Sequence, residues 1–250
     1  LIAKLSVIAL KITRHNGTNF PGIVAIKICP NFLKYIELPN KIIGVTGTNG
    51  KTTCSNLLND SLTVLGERVL NNSAGSNTIT GITTSLITGA SLTGKQRYGT
   101  AVFEIDELSS RRIFPFVHVD FLVVTNLSRD SIMRNAHPDY IKSVLENHID
   151  KSTRLILNAD DLISSQMCPH NERVFFGIEA LSSDKEKCTN LIDDCPICPV
   201  CNSRLKYIIN RYSNIGRAYC PNCEFKSPVA DYLAKDVNLE NMSMSVALEG

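Results

Sequence analysis

A chain of 250 residues can bury a full α/β core and carry a small appendage. Its 26 Lys and Arg against 24 Asp and Glu leave a net charge of +2, which advertises neither a nucleic-acid nor an anionic-membrane partner. No apolar run approaches the roughly 20 residues of a membrane-spanning helix, and nine cysteines without an export signal favour a reducing, cytoplasmic compartment with thiols kept for metal rather than disulfides.

Leu1 to Leu10 has the apolar content of a signal core but no small-residue cleavage site. It continues as Lys11-Ile12-Thr13-Arg14, so an amphipathic helix is expected there. A first residue other than Met and an end directly after a strand-like tail suggest a fragment of a longer protein. Asn16 to Gly22 reads as a loop, Val24 to Tyr35 as a second helix, and Pro39-Asn40 as a turn.

Ile42-Ile43-Gly44-Val45 then reads as a strand, and it delivers Thr46-Gly47-Thr48-Asn49-Gly50-Lys51-Thr52-Thr53 to the start of a helix. Phosphate binding needs that layout. Glycines let backbone N–H groups converge on phosphate oxygens, and the helix N-terminus adds partial positive charge. Lys51 is placed to reach terminal phosphates, and the Thr52 hydroxyl to sit on a magnesium ion. Only Thr48 and Asn49 separate the two glycines, where the common P-loop has four residues. The helix puts Leu58, Leu62 and Leu65 on one face and is expected to stop at Gly66.

Short β-branched runs recur after it: Arg68 to Leu70, Ala101 to Ile105, Phe121 to Thr125, Arg154 to Leu157 and Arg173 to Phe176. Separated by crossover-length segments, they predict a doubly wound, mostly parallel α/β sheet whose active edge lies at the strands' carboxyl ends. Asn71-Asn72, Glu104, Asn126 and Asn158-Ala159-Asp160-Asp161 fall at those ends. A carboxylate inside a strand, as at Glu104, is costly to bury without a partner. A magnesium ion shared with Thr52 would supply one, with Asp106 or Glu107 as alternatives if the register shifts. Ser73 to Gly89, rich in Ser, Thr, Gly and Asn, reads either as a flexible loop or as a substrate-facing surface. His118, His137 and His148 lack ligand spacing and are read as ordinary histidines.

Cys198-Pro199-Val200-Cys201 and Cys220-Pro221-Asn222-Cys223 are two CxxC knuckles with 18 residues between them. That is the spacing of a four-cysteine zinc ribbon, with Leu205 to Ile209 and Arg217 to Tyr219 as its hairpin. Four thiolates leave no open position, so the site is expected to be structural. Cys195-Pro196-Ile197-Cys198 offers a competing register. Cys29, Cys54, Cys168 and Cys188 read as incidental thiols.

The stretch Thr46 to Thr53, the glutamate strand and Asn158 to Asp161 resemble the ATP-binding domain of the Mur ligases and folylpolyglutamate synthases. With the zinc ribbon, and with Gly17 to Gly22, Gly81 to Ser85, Glu104 to Glu107, Val124 to Asn126, Arg129-Asp130 and Phe176 to Ile178, the chain resembles the Mur-ligase-like subunits of lipid II isoglutaminyl synthases. That resemblance implies an ATP-dependent carbon–nitrogen ligase. Working with a glutaminase partner, it would amidate the D-glutamate α-carboxyl of the lipid II stem peptide through an acyl phosphate, at the inner face of the membrane. It implies that Gly47 through Thr53 bind the phosphates, that Thr52 and Glu104 hold magnesium, that Asn126 lies beside the phosphate site, and that Asn158 and Asp161 face the nucleotide. The implied layout is an N-terminal helical segment (1–40), the ATP-binding domain (41–190), a zinc-ribbon insertion (191–228) and a return to the ATPase domain (229–250), the family's C-terminal domain being absent. Two departures stand out: the run Ser128 to His137 differs from the family's, and Leu162 replaces the usual proline. Two alternatives remain. One is an amino-acid-adding Mur ligase or a folylpolyglutamate synthase-like ligase. The other is an inactive fragment or binding module whose ribbon carries Arg204, Lys206, Arg211 and Arg217.

Overall fold

The computed structural model describes Lys4, Val7 and residues 19–73, 76–129, 137–238, 240–241 and 243–248. Apart from Lys4 and Val7, the expected first helix lies outside the described residues, as do 16–18 of the expected loop and 130–136 of the altered run. The chain divides into two compact units. The first runs to Val123 and takes in Asn147–Thr153; the second comprises Val124–Glu146 and everything from Arg154.

In the first unit, α1 (Phe20–Ile28) forms earlier than the Val24 to Tyr35 helix expected and stops sooner. Pro21 suits a first helical turn, where no N–H is required. Pro30 disfavours helical backbone at the residue before it, and Cys29 is extended, with φ −137° and ψ 97°. A short 3₁₀ turn, Phe32–Lys34, completes the segment. The strands β1 (Lys41–Thr46), β2 (Val69–Asn71), β3 (Thr100–Glu104) and β4 (Phe121–Val124) lie in the order β4-β1-β3-β2. β3 runs parallel to both β1 and β2, with Val45 opposite Glu104 and Asn71 opposite Val102. The chain therefore leaves β1 in both directions, and β1, β2 and β3 deliver their carboxyl ends to one rim. Ile42, Val45, Ala101, Val102 and Phe103 are all buried. This accounts for runs that are apolar without alternation.

α2 (Lys51–Val64) ends as expected at Gly66, whose φ is +90°. Leu58 and Leu62 are partly covered, but Leu65 lies beyond the last turn and is 79% exposed, so it does not share their face. Most of the Ser/Thr-rich stretch is helix rather than loop. From Ile79 to Gly89 it forms α3, with Ile79, Ile82, Thr83, Leu86 and Ile87 buried. Its hydroxyls bond back to carbonyls four residues earlier: Thr83 to Ile79 at 2.7 Å, Thr84 to Thr80 at 2.9 Å and Thr88 to Thr84 at 2.8 Å. Such bonds satisfy the polar groups of a helix with loop-like composition. The short helix α4 (Ser110–Ile113) follows β3.

In the second unit, α5 (Pro138–Glu146) buries Ile141, Val144 and Leu145. β5 (Arg154–Asn158), β6 (Arg173–Ile178), β9 (Tyr232–Asn238) and β10 (Ser243–Leu248) form the order β10-β9-β6-β5. β6 is parallel to β5 and β9, and β10 closes the edge antiparallel to β9. β7 (Lys206–Tyr212) and β8 (Ile215–Tyr219) form a separate antiparallel hairpin, the one expected between the cysteine knuckles. The fold is mixed, mostly parallel α/β.

Candidate phosphate-binding loop and cysteine cluster

β1 ends at Thr46, and the loop turns through Gly47 (φ +126°) and Gly50 (φ +82°), backbone regions that only glycine adopts readily. Gly50 is the N-cap of α2, so Lys51, Thr52 and Thr53 form its first turn, while Thr48 and Asn49 lie on the loop. The parallel register sets Glu104 beside this turn. Thr52 Oγ1 donates to Glu104 Oε2 at 2.8 Å, and Asn77 Nδ2 donates to Glu104 Oε1 at 3.1 Å. The Asn72 side chain clasps the backbone of Glu104, accepting from its N–H at 2.9 Å and donating to its C=O at 2.8 Å. Glu104, rather than Asp106 or Glu107, is therefore the carboxylate at Thr52. Lys51 Nζ bonds to Gly47 O, to Thr48 O at 3.2 Å and to Glu107 Oε1 at 3.1 Å. Burial pushes the Glu107 carboxyl up from its ordinary value, and the neighbouring Lys51 charge pulls against that rise. The sequence did not single out Asn77, and it offered Glu107 only as a substitute metal ligand. Neither pairing has a local signature, because each joins segments more than twenty residues apart.

In the second unit, Asn158 Nδ2 donates to Thr125 O at 3.0 Å. Asp161 is fully buried. It accepts from Leu127 N at 2.7 Å, Ile163 N at 3.0 Å and Asn214 Nδ2 at 2.6 Å, and burial raises its pKa. Asn158 and Asp161 thus hold the backbone on either side of Asn126. The Asp161 carboxylate is engaged with donors of its own unit. Leu162, the residue read above as a departure from the resemblance, donates its N–H to Asn214 O at 3.1 Å, a bond that a proline at this position could not make. Its side chain packs with Cys198, Leu205, Ala218 and Cys220.

Asp160 is 2% exposed and is clamped by the ribbon hairpin. Arg211 Nη1 reaches it at 2.6 Å and Arg217 Nε at 2.7 Å, while Arg211 also meets Asp184 at 3.1 Å. Two of the four basic residues carried by the ribbon in the binding-module alternative are therefore spent inside the unit. Removing one partner of a buried pair strands the other's charge, at about 3–5 kcal/mol. Asp160→Ala should lose that much stability in urea unfolding, whereas a loss below about 1 kcal/mol would mark the pair as a solvent-screened contact.

The Sγ atoms of Cys198, Cys201, Cys220 and Cys223 all lie within 4.8 Å of one another. Four sulfurs at about 2.3 Å from one zinc ion would stand about 3.8 Å apart, so the set fits a tetrahedral thiolate site. The Val200 and Asn222 amides donate to Cys198 and Cys220 Sγ, each at 3.4 Å, as donors stabilising thiolates would. Hydrogen bonds from Ser203, side chain and backbone, hold the Cys201 thiol down at about 6. Cys195 lies outside the set and packs against the neighbouring apolar cluster, an arrangement that favours the Cys198/Cys201 knuckle over Cys195/Cys198.

A glycine loop at the carboxyl rim of a mostly parallel sheet, with a strand-end glutamate facing the threonine of the following helix, is the arrangement of a P-loop nucleotide-binding domain. The chain belongs to the Mur ligase family: residues 45–191 match the Mur ligase middle domain. It is 32% identical over 259 aligned residues to the lipid II isoglutaminyl synthase (glutamine-hydrolyzing) subunit MurT of Staphylococcus aureus strain COL, a match covering 98% of this chain and 58% of that protein. The corresponding subunit of Streptococcus pneumoniae strain ATCC BAA-255 / R6 is 33% identical over 238 residues, covering 94% and 52%. The chain thus spans a little over half the length of these curated relatives. Among solved structures, MurF of Thermotoga maritima in complex with ADP superposes with a TM-score of 0.48 at 14% identity, over 80% of this chain and 43% of that one. Among the described residues, no helix is long and apolar enough to cross a membrane.

Proposed function

We propose that the chain is the ATP-using part of a lipid II isoglutaminyl synthase. In this reading Gly47 through Thr53 receive the ATP phosphates, Lys51 neutralises charge on the transferred phosphoryl group, and Thr52 and Glu104 hold magnesium. When bound, that ion adds further charge neutralisation on the phosphate oxygens. Asn126 lies beside the phosphates, and Asn158 and Asp161 serve the nucleotide by fixing the segment that carries it. The D-glutamate α-carboxylate of the stem peptide attacks the γ-phosphorus and expels ADP. Ammonia from a glutaminase partner then attacks the acyl phosphate carbon, releases inorganic phosphate and leaves the amide. The protein's own contribution is positioning and charge stabilisation. Zinc in the four-cysteine set is structural, and the lipid substrate brings the complex to the inner membrane face.

The observation that carries this reading is the 2.8 Å contact between Thr52 and Glu104 beside Lys51, in a chain similar to MurT over nearly its full extent. The test is to purify the full chain with its glutaminase partner and follow glutamine- and ATP-dependent amidation of a lipid II stem peptide by mass spectrometry. The amide is the expected product. Addition of a free amino acid instead would establish the amino-acid-adding alternative, and no ATP-dependent product would overturn the ligase reading.

A further inference from the structure

Lys51 has three N–H donors, and the structure gives it three protein acceptors: Gly47 O, Thr48 O at 3.2 Å and Glu107 Oε1 at 3.1 Å. With that capacity filled, a phosphate oxygen can be engaged only if one acceptor is surrendered. The two carbonyls belong to the loop that would enclose the phosphates, and they are neutral. Glu107 carries the same sign as the incoming phosphate. It is therefore the acceptor that phosphate displaces.

We propose that Glu107 is the resting counter-ion of Lys51, a positioning residue that competes with the nucleotide's phosphates for the ammonium group and thereby weakens nucleotide binding and speeds product release. Resting on the nucleotide site proposed above, the inference adds a restraint on affinity that the family assignment does not contain. Glu107 is poorly placed to turn away when displaced. The side chains of the pair are only 15% (Lys51) and 12% (Glu107) exposed, and Ser110 Oγ holds the Glu107 carbonyl at 2.5 Å at the start of α4. Once Lys51 turns to phosphate, Glu107 is left as a half-desolvated carboxylate beside Asp106 and close to a polyanion. Burial already pushes its carboxyl up while Lys51 is paired with it, which shows how poorly the pocket solvates the charge.

Replacing the carboxylate with a neutral isostere removes both the competition and the repulsion. In the full chain, Glu107→Gln should bind ADP and a non-hydrolysable ATP analogue about tenfold more tightly than the wild type by calorimetry, with slower ADP release in stopped flow. Glu107→Asp, which keeps the charge but withdraws it from Lys51, should tighten binding less. A gain of affinity separates this role from a merely structural one, since a damaged loop binds more weakly. Binding unchanged within twofold, or weakened, in the Gln variant would overturn the inference, and the Asp variant decides if Gln fails to fold. Wild-type protein that binds no nucleotide would bring down the proposed function and this inference together. A wild type that binds, with a Gln variant that matches it, would bring down this inference alone.

Discussion

Lys51→Ala should abolish measurable nucleotide binding, raising the dissociation constant for an ATP analogue more than about 100-fold, and should remove ligase activity with it. The size follows from what is deleted: a cation at the first turn of α2, aimed back over the loop toward Gly47 and Thr48. Single preorganised donors at sites of developing oxyanion charge are each worth about 10²–10³ in rate, and a full positive charge on phosphate stands at the upper end. Glu104→Ala should instead leave magnesium-free binding largely intact and abolish the gain that magnesium confers. Calorimetry with and without the ion separates the two variants. An affinity unchanged by Lys51→Ala would show that the loop is a glycine turn and nothing more.

The same variant makes a pH prediction. Burial holds the Glu107 carboxyl above its ordinary value in the folded protein, so the native state binds more protons than the unfolded chain while that carboxyl titrates, and stability falls as pH rises through that range. Without Lys51 the carboxyl rises further. Lys51→Ala should therefore lose stability more steeply than the wild type as pH rises from the ordinary carboxylate range toward neutrality. Urea midpoints across that range report the slope. Parallel slopes would mean that Glu107 is solvated well enough to do without its partner.

What the sequence disclosed is what local spacing can encode. The strand–glycine–lysine–helix succession places the P-loop because strand, turn and helix signals lie within a dozen residues of one another. The cysteine knuckles and their hairpin are legible for the same reason. Glu104 could be picked out because an ionisable residue in an apolar run demands a partner, and the parallel register of β1 with β3 brings it to Thr52. Illegible features depended on distant partners or on backbone competition. Arg211 and Arg217 look like surface charge until Asp160 is found between them. Asn77 is one polar residue among many until its amide meets Glu104. α3 was hidden because threonines that favour loops in isolation satisfy themselves against the preceding turn once Ile79, Ile82 and Leu86 are buried. The α1 boundary was hidden because the apolar run from Val24 to Tyr35 continues past Pro30, which disfavours helical backbone at Cys29 and so ends the helix at Ile28.

Removing metal from the cysteine cluster should unfold the ribbon hairpin and be felt well beyond it. A two-stranded hairpin is marginal in water, and β7 and β8 have only a small apolar cluster of Leu162, Leu205 and Ala218 with the cysteines to pack on. Beyond that cluster the hairpin is held by the Asp160 clamp on Arg211 and Arg217 and by the four sulfurs, and structural zinc in such peptides supplies about 10–16 kcal/mol at pH 7, the larger share. Elemental analysis should find one zinc per chain, and either a chelator or Cys220→Ser should release it with loss of a cooperative thermal transition. Lower pH should favour release, since the ligands must be deprotonated to bind. The turn of the hairpin carries Asn214, which donates to Leu127 O at 2.9 Å and to Asp161, and Asp161 in turn accepts from Leu127 N. Metal loss should therefore strip hydrogen-exchange protection first from the Gly216 amide, which donates to Asp160 O at 2.5 Å, and then from Leu127. If Leu127 keeps full protection in metal-free protein, the ribbon is a separable ornament on the second unit. If its protection falls with the hairpin's, the metal staples the segment that carries Asn126, and the ribbon supports that segment from 87 residues away along the chain.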